Sequence, residues 1–291
     1  MPPTAPAPVA AGFDRPIFLL SSPRSGSTLL FQTLRKAPCA YSIGGESHTL
    51  IETVPGLHPA QRGWHSNRLT AADLTPAVAE ELARRFRFNL VDRDGRRAPP
   101  SGRVRMIEKT PKNSVRVPFL HTLFPDAAFI FLYRDWRQTI ASIIEAWASG
   151  RFVTYPRLPD WPPPAWSLLL VPGWEALRGR PPAEIAARQW STALDMLLDD
   201  LESRPAATIA ALDYDDLVAA PDDTMRALCA AVDLGWDVDL GCDLPLSPTT
   251  LTRPDAEKWR RHERAILAME PLVAETDARA RAFMARYAIG R

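Results

Sequence analysis

Four short apolar runs punctuate the chain, and each leads into a stretch of helical periodicity. "PIFLLSS" (16–22) is followed by "STLLFQTLRKA" (27–37), where Leu29, Leu30, Thr33 and Leu34 recur at helical spacing. "GRVRMIEKTP", "AAFIFLYR" and "ATIAALDY" (207–214) repeat the arrangement further along. A further helix is predicted over 71–88, where "DLTPAVAEELARRFRF" carries its acids early and its arginines late, as the helix dipole favours. Strands that alternate with helices predict right-handed crossovers. The expected fold is therefore α/β, a parallel sheet flanked by helices, with any ligand site beyond the carboxyl ends of the strands.

Two segments depart from this rhythm. Residues 1–12, rich in Pro and Ala, read as a flexible leader, so that 13–291 form one domain. Residues 147–181 are dense in Trp and Pro and read as a semi-rigid insertion, a candidate lid over an acceptor. Its Trp161, Trp166, Trp174 and the Leu168–Leu170 run point to an apolar or aromatic acceptor.

Composition narrows the possible partners. The 291 residues are 46% hydrophobic and carry a formal charge of +1, which leaves no global field to gather nucleic acid or an anionic membrane. Any anion site must be built locally. Cys39, Cys229 and Cys242 contain no CxxC pair and read as small core residues in a reducing compartment. With neither a signal peptide nor an apolar stretch of membrane-spanning length, the expected location is the cytoplasm.

The first strand end, "SSPRSGSTLL", has the form of a phosphate loop, or P-loop: an apolar strand, a turn at Gly26, then a helix with Ser27 and Thr28 in its first turn. Unpaired N–H groups and the positive dipole end favour an anion there. Against the pattern GxxxxGK[ST], Ser21 stands where the first Gly belongs and Ser27 where the Lys belongs. Arg24 is the charge available within the loop.

The combination of "PRSGSTLL" with "YRDWRQTIAS" resembles the bacterial type of sulfotransferase, whose donor is 3′-phosphoadenosine 5′-phosphosulfate (PAPS) and whose nucleotide product is adenosine 3′,5′-bisphosphate (PAP). The likeness runs in patches from about residue 16 to 234. It implies that Arg24, Ser25, Gly26, Ser27 and Thr28 wrap the 5′-phosphosulfate, and that Arg134 and Ser142, eight residues apart, hold the 3′-phosphate. Tyr214 of "LDYDDL" would lie near the adenine, and Lys109 of "IEKTPKN" near the transferred group. Lys112 reads as a surface residue or a helix cap. Among Arg253, Lys258 and Arg261 the resemblance implies a basic contact to the 3′-phosphate without selecting one.

Sulfuryl transfer to a hydroxyl or amine of a small molecule needs a base but no metal. Many relatives carry a histidine after the lysine; here Pro111 follows two residues later and no histidine does. "SIGGESHTL" instead resembles the segment in which protein-tyrosine sulfotransferases carry a glutamate base. Glu46 is the candidate, with His48 as the alternative. The rival readings are a P-loop kinase and a non-catalytic nucleotide-binding module.

Overall fold

The computed structural model describes residues 12–241, 244, 249–251 and 255–290; residues 1–11 of the expected leader, Cys242 and Arg253 lie outside them. The strands are β1 Ile17–Leu20, β2 Ala40–Tyr41, β3 Arg105–Lys109, β4 Ala128–Tyr133, β5 Val153–Tyr155, β6 Trp166–Ser167 and β7 Ile209–Asp213. The helices are α1 Ser27–Leu34, α2 His48–Glu52, α3 Pro76–Asn89, α4 Val117–Leu123, α5 Trp136–Ser149, α6 Pro182–Glu202, α7 Tyr214–Ala219, α8 Pro221–Ala231, α9 Glu263–Leu267 and α10 Glu270–Tyr287.

Five strands form one parallel sheet in the order β2-β3-β1-β4-β7, the architecture expected from the alternating pattern. Period-2 alternation divides each strand between two cores. Phe18, Leu20, Met106, Phe129 and Phe131 face the helices α3 to α6 and α10. Ile17, Leu19, Ile107, Ile130 and Leu132 face α1 and α8. Because the strands run parallel, the ends of β1, β3, β4 and β7 open at one edge, where Arg24, Lys109, Arg134 and Tyr214 follow.

Local chemistry adjusts the expected boundaries. The helix predicted over 71–88 is a 3₁₀ turn, Ala71–Asp73, followed by α3. Thr75 accepts from the Val78 N–H at 3.3 Å and Pro76 takes the first helical position, so the helix starts there. Strand β2, two residues against Arg105 and Met106, is too short to leave a periodic signal. Cys229 is buried as expected, but Cys39 is exposed at a positive φ of 58°, so it is not a core residue.

The insertion is anchored by its tryptophans rather than displaying them. Trp161, Trp166 and Trp174 join Trp147 in a mostly edge-to-face cluster with ring centroids 4.7–6.1 Å apart. Trp166 is fully buried and donates its indole N–H to the Leu169 carbonyl. The expectation that these rings face an acceptor is thereby corrected: Trp166 and Trp174 are buried in the core, each worth about 4–6 kcal/mol in transfer free energy, and the half-buried Trp161 packs on them, so they hold the segment down. Only Leu168 and Leu169 of the named residues line the cavity described below. Among the described residues, no helix is long and apolar enough to cross a membrane.

Candidate active site

A cavity of about 540 Å³ opens at the carboxyl edge of the sheet. Its upper wall is the turn between β1 and α1. Gly26 caps α1 at φ 92°, and a β-carbon there would stand 2.3 Å from Tyr214 Cδ2, so only glycine fits both backbone and neighbour. Among the described residues no side chain caps the first turn of α1, and the turn carries no acid, so the positive dipole end lies at Ser27 and Thr28 with no charge of its own to offset it. Both line the cavity. Ser25 does not: its buried hydroxyl pairs with Ser22 Oγ at 2.7 Å.

Two arginines converge on one end. Arg24 donates to Ser142 Oγ at 3.3 Å and to the Thr249 carbonyl at 3.2 Å, and its guanidinium lies 4.5 Å over the Phe152 ring. Arg134 donates to Gln138 Oε1 at 2.9 Å and to the Arg24 carbonyl at 3.4 Å, and it lies 4.4 Å over the Tyr214 ring. Every one of these hydrogen-bond acceptors is neutral. Burial, and for Arg24 the adjacent Arg134 charge, lowers the pKa of both arginines; among the described residues no acid is hydrogen-bonded to either of these partly desolvated cations. The ring of Tyr214 therefore bridges the two halves, resting on Gly26 and carrying Arg134.

The other predicted residues meet beside Thr28. Lys109 is buried at the end of β3, behind the cavity wall, and donates to Thr28 Oγ1 at 3.1 Å and Glu46 Oε1 at 2.7 Å. His48 Nδ1 stands 3.5 Å from Glu46 Oε2, and both residues line the cavity. Burial alone would push the Glu46 carboxyl up. The hydrogen bond with His48 and the charge and hydrogen bond of Lys109 overcome it and hold the group at about 2.

The floor holds residues that the sequence reading missed. Lys112, expected at the surface or as a cap, is buried; its ammonium donates to both Glu52 oxygens at 2.8 and 2.9 Å and to the Tyr155 hydroxyl at 2.9 Å. Arg116 donates to Glu52 Oε1 at 2.6 Å, and Asn67 donates to the same oxygen and to Tyr155. Burial lowers Lys112 to about 8 despite the Glu52 charge. The only sequence signal was a cluster of polar residues in "EKTPKNSVR" directly after a strand. Of the C-terminal bases, Lys258 lines the cavity and pairs with Glu145, while Arg261 is exposed and away from it.

The site is thus a cavity at the carboxyl edge of a parallel α/β sheet, with the uncapped start of α1, two arginines and a lysine–carboxylate pair around it. Comparison with known proteins gives the family: residues 16–161 and 170–238 match the sulfotransferase family, and the chain belongs to it. It is similar to the protein-tyrosine sulfotransferase A of Caenorhabditis elegans, 27% identical over 76% of this chain and 50% of the relative. The nodulation protein NoeE of Sinorhizobium fredii gives the same identity and coverage. The protein-tyrosine sulfotransferase of Drosophila melanogaster is 24% identical over 76% of this chain and 38% of its own length. The chain thus spans half or less of these curated relatives. Among solved structures, a sulfotransferase from Alicyclobacillus acidocaldarius is 16% identical with a TM-score of 0.48, over 91% of this chain and 95% of that one.

Proposed function

We propose that the protein moves a sulfuryl group from PAPS to a hydroxyl or amine of a small-molecule acceptor, releasing PAP. The observation that carries the reading is the convergence of Arg24 and Arg134, bonded among the described residues to neutral oxygens, on the uncapped N-terminus of α1. These residues fit the donor. Arg24, Gly26, Ser27, Thr28 and the backbone at Ser25 would hold its 5′ end, Arg134 and Ser142 its 3′-phosphate, and Tyr214 its base. Bound there, PAPS supplies the sulfuryl group and a phosphate leaving group.

The remaining chemistry belongs to the chain. Glu46, ionised throughout the physiological range, takes the acceptor's proton as that proton becomes acidic during attack. Protonation of Glu46 cancels its pairing with Lys109. The ammonium is then left beside Thr28 with its charge uncompensated, where it offsets negative charge developing on the departing oxygen. His48 orients the carboxylate from its second oxygen. The acceptor would occupy the end lined by His48, Glu52, His58, Lys112 and Tyr155, with Leu168 and Leu169 beside them.

The test is a thermal melt followed by turnover. PAP without Mg²⁺ should stabilise the fold by about 2.7 kcal/mol at a hundred times its Kd. Radiolabelled PAPS should then label one member of an acceptor panel. An equal melting shift from Mg·ATP would overturn the reading in favour of a kinase.

A further inference from the structure

Directly behind Lys109 lies a carboxylate that the proposed chemistry does not use. Glu108 precedes Lys109 on β3, so the two side chains leave opposite faces of the sheet, and Glu108 is sealed from solvent. Three donors surround it. Ser47 Oγ and Thr110 Oγ1 each donate to Oε1 at 2.6 Å, and Asn113 Nδ2 donates to Oε2 at 2.7 Å. All three partners are fully buried.

Ser47 sits at the N-cap of α2, where a serine ordinarily accepts a hydrogen bond from its own helix; here it makes no such cap. Its hydroxyl turns back to Glu108, and its backbone N–H donates to Thr110 Oγ1 at 2.7 Å. Two successive loop residues therefore grip two successive strand residues: Glu46 holds Lys109, and Ser47 holds Glu108. A slip of one residue would take the Ser47 hydroxyl from Glu108 and the Glu46 carboxylate from Lys109 at once.

We propose that Glu108 and Ser47 are positioning residues, a buried tether that sets the Glu46 carboxylate against Lys109 and the cavity. The proposal rests on Glu46 serving as the base. A displacement of about 1 Å at a reacting group costs up to about 10²-fold in rate, so the tether governs turnover rather than donor binding.

The test separates these effects. Ser47→Ala removes one hydroxyl and leaves Thr110 and Asn113 on Glu108; kcat should fall about 10- to 100-fold with PAP affinity unchanged. Glu108→Leu should do the same, and the double variant should be no worse than Glu108→Leu, because both break one link. Glu108→Gln keeps an acceptor for Ser47 and Thr110, and Asn113 can turn its amide oxygen to it, so most turnover should return. Amide hydrogen exchange at position 47 should speed up in Ser47→Ala and Glu108→Leu whether or not an acceptor is known. Wild-type turnover and exchange in Ser47→Ala, beside an inactive Glu46→Gln, would overturn the tether and leave the base in place. Accelerated exchange in a protein that transfers no sulfuryl group would keep the tether and remove the functional reading.

Discussion

Replacing Gly26 by alanine tests the junction on which the donor site turns. The new β-carbon meets two costs. At φ 92° a side chain is strained whatever the space around it, by about 1–2 kcal/mol. It would also stand 2.3 and 2.4 Å from two carbons of the Tyr214 ring. The ring must retreat by about 1 Å to reach ordinary contact. Tyr214 is buried and carries the Arg134 guanidinium 4.4 Å above it, so the retreat is resisted and costs a further 1–3 kcal/mol or so. A central total of about 3 kcal/mol lowers Tm by about 6–12 °C in a chain of this size. PAP affinity should fall with it, because Arg134 moves with the ring. Melting curves of Gly26→Ala, Tyr214→Ala and the double variant separate the costs: without the ring, Gly26→Ala should lose only the backbone part, a coupling of at least about 1 kcal/mol. Equal losses in both backgrounds would refute the steric argument.

Further expectations concern the charged groups. Glu46→Gln should bind PAP normally yet lose roughly 10²- to 10⁴-fold in turnover, with His48→Asn losing much less; the reverse order, read by initial rates, makes the histidine the base. Arg134→Ala should weaken PAP far more than adenosine 5′-monophosphate in calorimetric titrations, since only PAP carries the 3′-phosphate. Glu52→Gln strands Lys112 and Arg116 without their buried anion and should destabilise by about 3–5 kcal/mol in denaturant melts. Because Glu46 is held at about 2, below its ordinary 4.5, folding leaves it less protonated than the unfolded chain. Its contribution to stability is present above pH 4.5 and lost as pH falls toward 2, so the Tm gap between wild type and Glu46→Gln should shrink over that window.

The four short apolar runs and their helices were legible because burial in a parallel sheet demands largely hydrophobic strands, a constraint local in sequence. Gly26, Thr28, Arg134 and Ser142 were legible for a related reason: each sits at a fixed offset from a strand end. Tertiary structure decided what offsets do not encode. Lys112, three residues after Lys109, looked like surface, yet the 3₁₀ turn Pro111–Val115 carries it inward to Glu52, sixty residues away. The tryptophans of 147–181 could face a ligand or the core on composition alone, and only the packing of the insertion onto Trp147 chose the core. Ser47 carries no signal in the sequence, and its role depends on β3 bringing Glu108 beneath it. A strand propensity depends on neighbours in the chain; the pairing of a buried charge depends on neighbours in space, and those exist only once the chain has folded.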